Sequence, residues 1–245
     1  YLPGGATYTA ERAAYRVLLN HAHYEFTDGD APRFDLAMCS DNEFNAWIGA
    51  QIRADLYGWV CPGDPARAAH LARQDAALSH RAEGIHGAVY VAGLGACIPA
   101  SADLDTAVEH ALAQLPSASE ATAAVQLGRS LVDDPEAVQK LHAHYEGMSA
   151  VHTLNNLALV VWALLKGQDD YSVAIGEAVA TGWDTDCNGA TVGALWGLTG
   201  RPIPAHWTDP WNGRVAVSLA GLGELSLDDL VARTLIVAKG LAGEG

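Results

Sequence analysis

An all-α domain is what this chain's residue pattern predicts, and three observations carry the prediction. Apolar residues recur at three- and four-residue intervals along nearly the whole chain. Alanine is abundant, while runs of β-branched residues are short. No stretch of any length alternates polar and apolar residues as a half-buried strand does. The 245 residues, 50% of them hydrophobic, are enough to bury a sizeable core. No break in composition marks a linker, so one domain over residues 1–245 is expected.

The elements are expected in this order. Thr9 to Leu19 reads as an amphipathic helix, with Thr9 and Glu11 near its start. A polar loop follows over roughly Thr27 to Asp35, and Phe44 to Tyr57 reads as the next helix. Cys61-Pro62-Gly63-Asp64-Pro65 breaks that helix. Asp64 before Pro65 supplies an N-cap with proline at the first helical position, so helix resumes from Pro65 to Leu78. Glu83 to Ile98 contains Gly84, Gly87, Gly93 and Gly95. Such residues are poor helix formers singly but suit a central helix with close neighbours. Further helices are expected at Ala102–Gln114, Ser119–Val132, Pro135–Tyr145, Thr153–Leu165 and Ser172–Thr181. The last begins near Ser226, where Ser226 and Asp229 have capping-box spacing.

Charge and cysteine usage narrow the functional classes. Fourteen Lys and Arg against 29 Asp and Glu give a net charge of -15. Such a surface repels phosphate backbones and anionic membranes, which speaks against nucleic-acid binding. No apolar run reaches the ~18 residues of a membrane span. Cys39, Cys61, Cys97 and Cys187 lie far apart, so no C-x-x-C zinc site is present, and a reduced, cytoplasmic setting is expected. The chain begins Tyr1-Leu2-Pro3, without a signal-peptide pattern.

The segment richest in chemistry is Gly182-Trp183-Asp184-Thr185-Asp186-Cys187-Asn188. Asp184 and Asp186 follow one helix and precede a run of small residues at 189, 190, 193, 194 and 197. Two carboxylates that converge at an enclosed turn must be neutralised by a proton or a cation. A hard divalent ion is the natural partner of oxygen ligands. A helix N-cap explains a single acid at such a place equally well.

At this point the chain resembles a known family. Residues 182–197, Gly-Trp-Asp-Thr-Asp-Cys-Asn-Gly-Ala-Thr-Val-Gly-Ala-Leu-Trp-Gly, followed by Ile203-Pro204 and Trp207, resemble the carboxy-terminal signature of the ADP-ribosylglycohydrolases. Ile48-Gly49-Ala50-Gln51-Ile52-Arg53, Gly63-Asp64-Pro65, Asp75 to His80, Gly84-Ile85-His86-Gly87 and His152-Thr153-Leu154-Asn155-Asn156 are similar to other parts of the family. The resemblance implies a compact orthogonal multi-helix fold. It also implies hydrolysis of a glycosidic bond at C1″ of ADP-ribose, on a small molecule or an ADP-ribosylated side chain. One or two Mg²⁺ ions are implied as cofactor, with Mn²⁺ as an alternative.

Carried onto this chain, Asp184 and Asp186 are the implied metal ligands and catalytic carboxylates. Cys187 is the third implied metal-site residue; it stands where the common family pattern has a metal-ligating Thr, and a soft thiol suits Mg²⁺ poorly. Ser79, His80, Arg53, His152, Asn155 and Asn156 are the candidate substrate-pocket residues. Each has a plainer alternative: His80 as a helix C-terminal cap, Arg53 as partner of Asp55 or another acid, Asn155 and Asn156 as satisfiers of backbone groups. The family's amino-terminal Asp-Asp-Thr-like cluster has no counterpart here, and Thr27-Asp28-Gly29-Asp30 reads as a turn. About a third of a family member is therefore expected ahead of Tyr1. Two other readings stand beside the hydrolase: an N-glycosidase acting on another nucleoside or nucleotide, and a non-catalytic structural or binding domain.

Overall fold

The computed structural model describes residues 9–27, 35–217 and 219–243, so most of the expected 27–35 loop lies outside them. Twelve α-helices run in order among the described residues. They are α1 (Ala10–Thr27), α2 (Asp55–Val60), α3 (Pro65–Ala77), α4 (Glu83–Cys97), α5 (Leu104–Ala111) and α6 (Glu120–Ser130). There follow α7 (Ala137–His144), α8 (Thr153–Lys166), α9 (Tyr171–Ala180), α10 (Thr185–Gly197), α11 (Ala205–Thr208) and α12 (Leu227–Ala242). The all-α expectation holds. None of these helices is long and apolar enough to cross a membrane.

Caps placed by local sequence are in place. The Asp64 carboxylate accepts from the Arg67 N–H at 3.0 Å, with Pro65 opening α3. Asp103, Ser119 and Asp170 cap α5, α6 and α9 in the same way. Each such cap stabilises its helix by about 1 kcal/mol.

Helices α4 and α8 form the centre. Leu154 to Leu165 is buried without a break, as is Gly87 to Cys97. Neither helix has a solvent face, so each is apolar on every side. Burying a Leu or Val side chain fully contributes roughly 1.5–3 kcal/mol, and α8 alone places Leu157, Leu159, Val160, Val161 and Leu164 at 0% exposure. Close approach makes room for so many neighbours. Gly58 of α2 faces Gly95 of α4, and a Cβ added at Gly58 would lie 2.8 Å from both the Ala92 carbonyl oxygen and the Gly95 Cα.

Two expectations are corrected. Phe44 to Tyr57 is not one helix. Trp47 pairs with His152 in an isolated antiparallel bridge, with Ile48 N–H donating to Val151 O and Thr153 N–H to Ala46 O, both at 2.9 Å. The Arg53 side chain takes the Gly49 carbonyl at 2.8 Å, and residues Ile48–Arg53 tighten into a 3₁₀ turn before α2. Distant pairing overrides local helical periodicity there. The second correction is a small hairpin: β1 (Arg214–Ala216) pairs antiparallel with β2 (Glu224–Ser226). Three-residue strands are too short to show alternation, and an Arg214–Glu224 ion pair of 3.1 Å crosses them. Helix α1 also runs past Leu19 to Thr27.

The glycines give a paired test. Gly58→Ala is expected to lower stability by about 1–3 kcal/mol, because α2 and α4 must move apart. Gly176→Ala, at an exposed site in α9 where a Cβ meets nothing within 4 Å, is expected to raise stability by about 0.5–1 kcal/mol. Urea unfolding of both variants measures the contrast, and two equal shifts would refute close packing at Gly58.

Candidate active site

The acidic segment sits on a tight turn between α9 and α10. Gly182 (φ +93°) and Trp183 (φ +58°) both adopt left-handed backbone. For tryptophan that conformation costs on the order of 1 kcal/mol. The Trp183 ring recovers it by packing: it stacks on His142 at 4.4 Å between centroids and meets the edge of Tyr145 at 6.1 Å. His142 is exposed on α7, as its sequence position suggests, yet its Nε2 donates to the Thr181 carbonyl at 2.8 Å.

Asn156 fastens the turn from below. Its Oδ1 accepts from the Asp184 N–H at 3.2 Å and from Asn188 Nδ2 at 2.7 Å. Its Nδ2 donates to the Ala150 and His152 carbonyls at 2.8 and 2.7 Å. The side chain is fully buried and fully committed. Asn155 is buried beside it and donates to the Ser149 carbonyl at 3.1 Å. His152 caps α8, accepting from the Leu154 N–H at 3.2 Å, and burial lowers its pKa. All three residues bond to backbone groups, and Asn156 alone reaches the turn.

Asp184 stands at the N-cap position of α10, but its carboxylate makes no capping hydrogen bond. The carboxylate instead faces Asp186 and Cys187. One ligand atom from each of the three lies within 4.8 Å of the others. Burial, then the adjoining Asp186, raises the Asp184 pKa, against the opposing hydrogen bond from Cys187. Burial and the Asp184 carboxylate push the Cys187 thiol far up, so it stays protonated. Asp186 is exposed.

A pocket of about 430 Å³ opens beside this cluster. Asp184 and Cys187 form one wall. Trp47 to Gly49, Ile52, Arg53 and Val151 form another, and Thr9 with Ala10 and Glu11 of α1 completes it. The volume is that of a small-molecule site. The Trp47–His152 bridge holds two of these walls together.

Arg53 enters the pocket with partners already in place. Its Nε donates to Asp75 and its Nη1 to Glu11, both at 2.7 Å, and its Nη2 lies 3.4 Å from Ser79 Oγ. Asp55 is not among them; its carboxylate accepts from the Leu56 N–H. Ser79 and His80 are buried behind Arg53, with Ser79 Oγ 2.8 Å from His80 Nδ1. Burial lowers the His80 pKa, while Glu11 and Asp75 oppose the shift and Arg53 adds to it. Pattern reading did not single out Glu11. An acid in the first turn of a helix has a local explanation in the helix dipole, which hid its contact with Arg53.

The pocket therefore brings together Arg53, Asp184 and Cys187, with Asp186 adjacent. Ser79, His80, His152, Asn155 and Asn156 are not among its lining residues, and all but His152 are buried. Asn156→Ala is expected to cost about 3 kcal/mol in urea unfolding, because it strands the Asn188 amide and the Ala150 and His152 carbonyls. A loss under about 0.5 kcal/mol would show that the turn does not depend on it.

The ADP-ribosylglycohydrolase family model matches residues 3–236. No curated protein and no solved structure gives a significant match. A family match of that extent takes in the acidic turn, the pocket walls and both central helices, and the chain accordingly belongs to the ADP-ribosylglycohydrolase family of hydrolases.

Proposed function

We propose that the chain is a metal-dependent hydrolase that cleaves a glycosidic bond of ADP-ribose or of an ADP-ribosylated substrate. The observation that carries this reading is the convergence of Asp184, Asp186 and Cys187 within 4.8 Å beside the pocket. The donor set fits one hard cation. Two carboxylates supply oxygen ligands, the exposed Asp186 leaves open positions, and a protonated Cys187 thiol adds no hard donor. Asp184 and Asp186 would hold Mg²⁺ or Mn²⁺, which when bound supplies a Lewis acid for a sugar hydroxyl and acidifies a water.

The chain's own groups have separable tasks. Asn156 fixes the Asp184 backbone, which sets where that residue's carboxylate starts from. Asp186 faces solvent, and its carboxylate oxygen not holding the cation would take the proton of the attacking water. As the aglycone departs, positive charge grows at the sugar carbon, and the acidic Asp184 wall favours it.

Calorimetric titration with Mg²⁺ and ADP-ribose tests the reading. Wild type is expected to bind both and to hydrolyse an ADP-ribosylated substrate. The Asp184→Ala/Asp186→Ala variant is expected to lose Mg²⁺ affinity on the order of a hundredfold and to lose hydrolysis. Equal Mg²⁺ binding by the two proteins would remove these residues from the metal site. Absence of ADP-ribose binding by wild type would remove the substrate assignment.

A further inference from the structure

We propose that Arg12 and Arg16 form an anion subsite beside the Asp184 pocket, one that takes the phosphate groups of a substrate whose sugar lies in that pocket. The proposal deepens the reading above and rests on it only for which pocket holds the sugar.

The subsite is a separate cavity of about 330 Å³. Thr9, Arg12, Ala13 and Arg16 line it, and their three- and four-residue spacing sets them on one face at the start of α1. Asn42, Glu43 and Phe44 complete the lining. Two features join this cavity to the Asp184 pocket. Thr9 lines both. Phe44 packs on Trp47 with ring centroids 4.6 Å apart, and Trp47 lines the Asp184 pocket.

The two guanidinium groups stand ready for a ligand. Among the described residues, neither has an ion-pair or hydrogen-bond partner. Arg12 Nε is moreover buried, and a buried N–H without an acceptor is costly to keep. An anion in the cavity would satisfy it. Other arginines contrast with these two: Arg81, Arg129, Arg201 and Arg214 each hold a carboxylate. Arg53, the cation of the Asp184 pocket, likewise bonds to Asp75 and Glu11.

The charges point the same way. With 29 Asp and Glu against 14 Lys and Arg, carboxylates are plentiful, yet none reaches Arg12 or Arg16 among the described residues. Side chains four apart on a helix are neighbours, so these two positive charges repel until an anion joins them. Guanidinium forks match phosphate oxygens, and two forks one turn apart suit a diphosphate. Glu43 is the one acid on the lining; it is exposed and opposes an anion there.

Inorganic pyrophosphate and ADP-ribose are the probes, each titrated by calorimetry into the whole chain, the first in metal-free buffer. Arg12→Gln/Arg16→Gln is expected to weaken pyrophosphate binding on the order of tenfold or more, and ADP-ribose binding to a similar extent. Glu43→Gln is expected to tighten pyrophosphate binding severalfold. Unchanged pyrophosphate affinity in the double variant would overturn the proposal. So would a loss confined to pyrophosphate, since the cavity would then bind an anion unconnected with the substrate. If thermal melting shows the double variant unfolded, the exposed Arg16→Gln alone decides by the same outcomes. Pyrophosphate carries no ribose and its titration needs neither metal nor turnover. A wild type that binds pyrophosphate through these arginines but not ADP-ribose would therefore sink the ADP-ribose reading while the anion subsite stands.

Discussion

Helices in this chain meet through bare backbone, and the rest of the architecture depends on that closeness. Gly58 and Gly95 let α2 lie on α4, and Gly128 lets α6 lie on α8 so closely that a Cβ there would strike the Ala158 carbonyl. With their middles in contact, α4 and α8 are sealed from water along most of their length. Polar groups that do chemistry can then occur only where helices end, because a charge in the middle of such a core has no solvation. The site follows this rule: α1 contributes its first turn, α10 its first turn, and α8 the residues just inside its cap.

Asn156 links that core to the reacting groups. It belongs to α8 by position and to the acidic turn by its bonds, and it spends both ends of its amide doing so. The strained Trp183 backbone is held by its neighbours: Asn156 binds the Asp184 N–H, and the Trp183 ring packs against His142. Freed of any capping duty, the Asp184 carboxylate is available to its neighbours Asp186 and Cys187.

Much of this could be read from the chain alone, and the parts that could not share one physical cause. Helix α3 was legible because Asp64-Pro65 carries its own start signal. Helix α8 was legible because an unbroken apolar run beginning at a polar cluster suits only a buried helix. The acidic turn was legible because two carboxylates two apart with small residues behind them form a local pattern. What escaped depends on partners far away in sequence. The Phe44–Tyr57 segment looks helical until His152 arrives to pair with Trp47. Glu11 looks like a dipole-compensating acid until Arg53, 42 positions on, takes its carboxylate. For Arg53, Asp75 and Glu11 could not be told from Asp55 as counter-charges. Asn155 and Asn156 showed that they cluster, not which way they face.

The bridge between Trp47 and His152 also bears on the order in which the molecule assembles. It joins strand-like residues about a hundred positions apart, and closing a loop of that size carries an entropic cost that local helix formation avoids. Contacts of such range come after local ones in folding. Helices α3 to α6 can therefore collapse on one another before the pocket has walls. The site is complete only once that long-range pairing is made, so a ligand that binds it reports on the assembled tertiary structure rather than on any single helix.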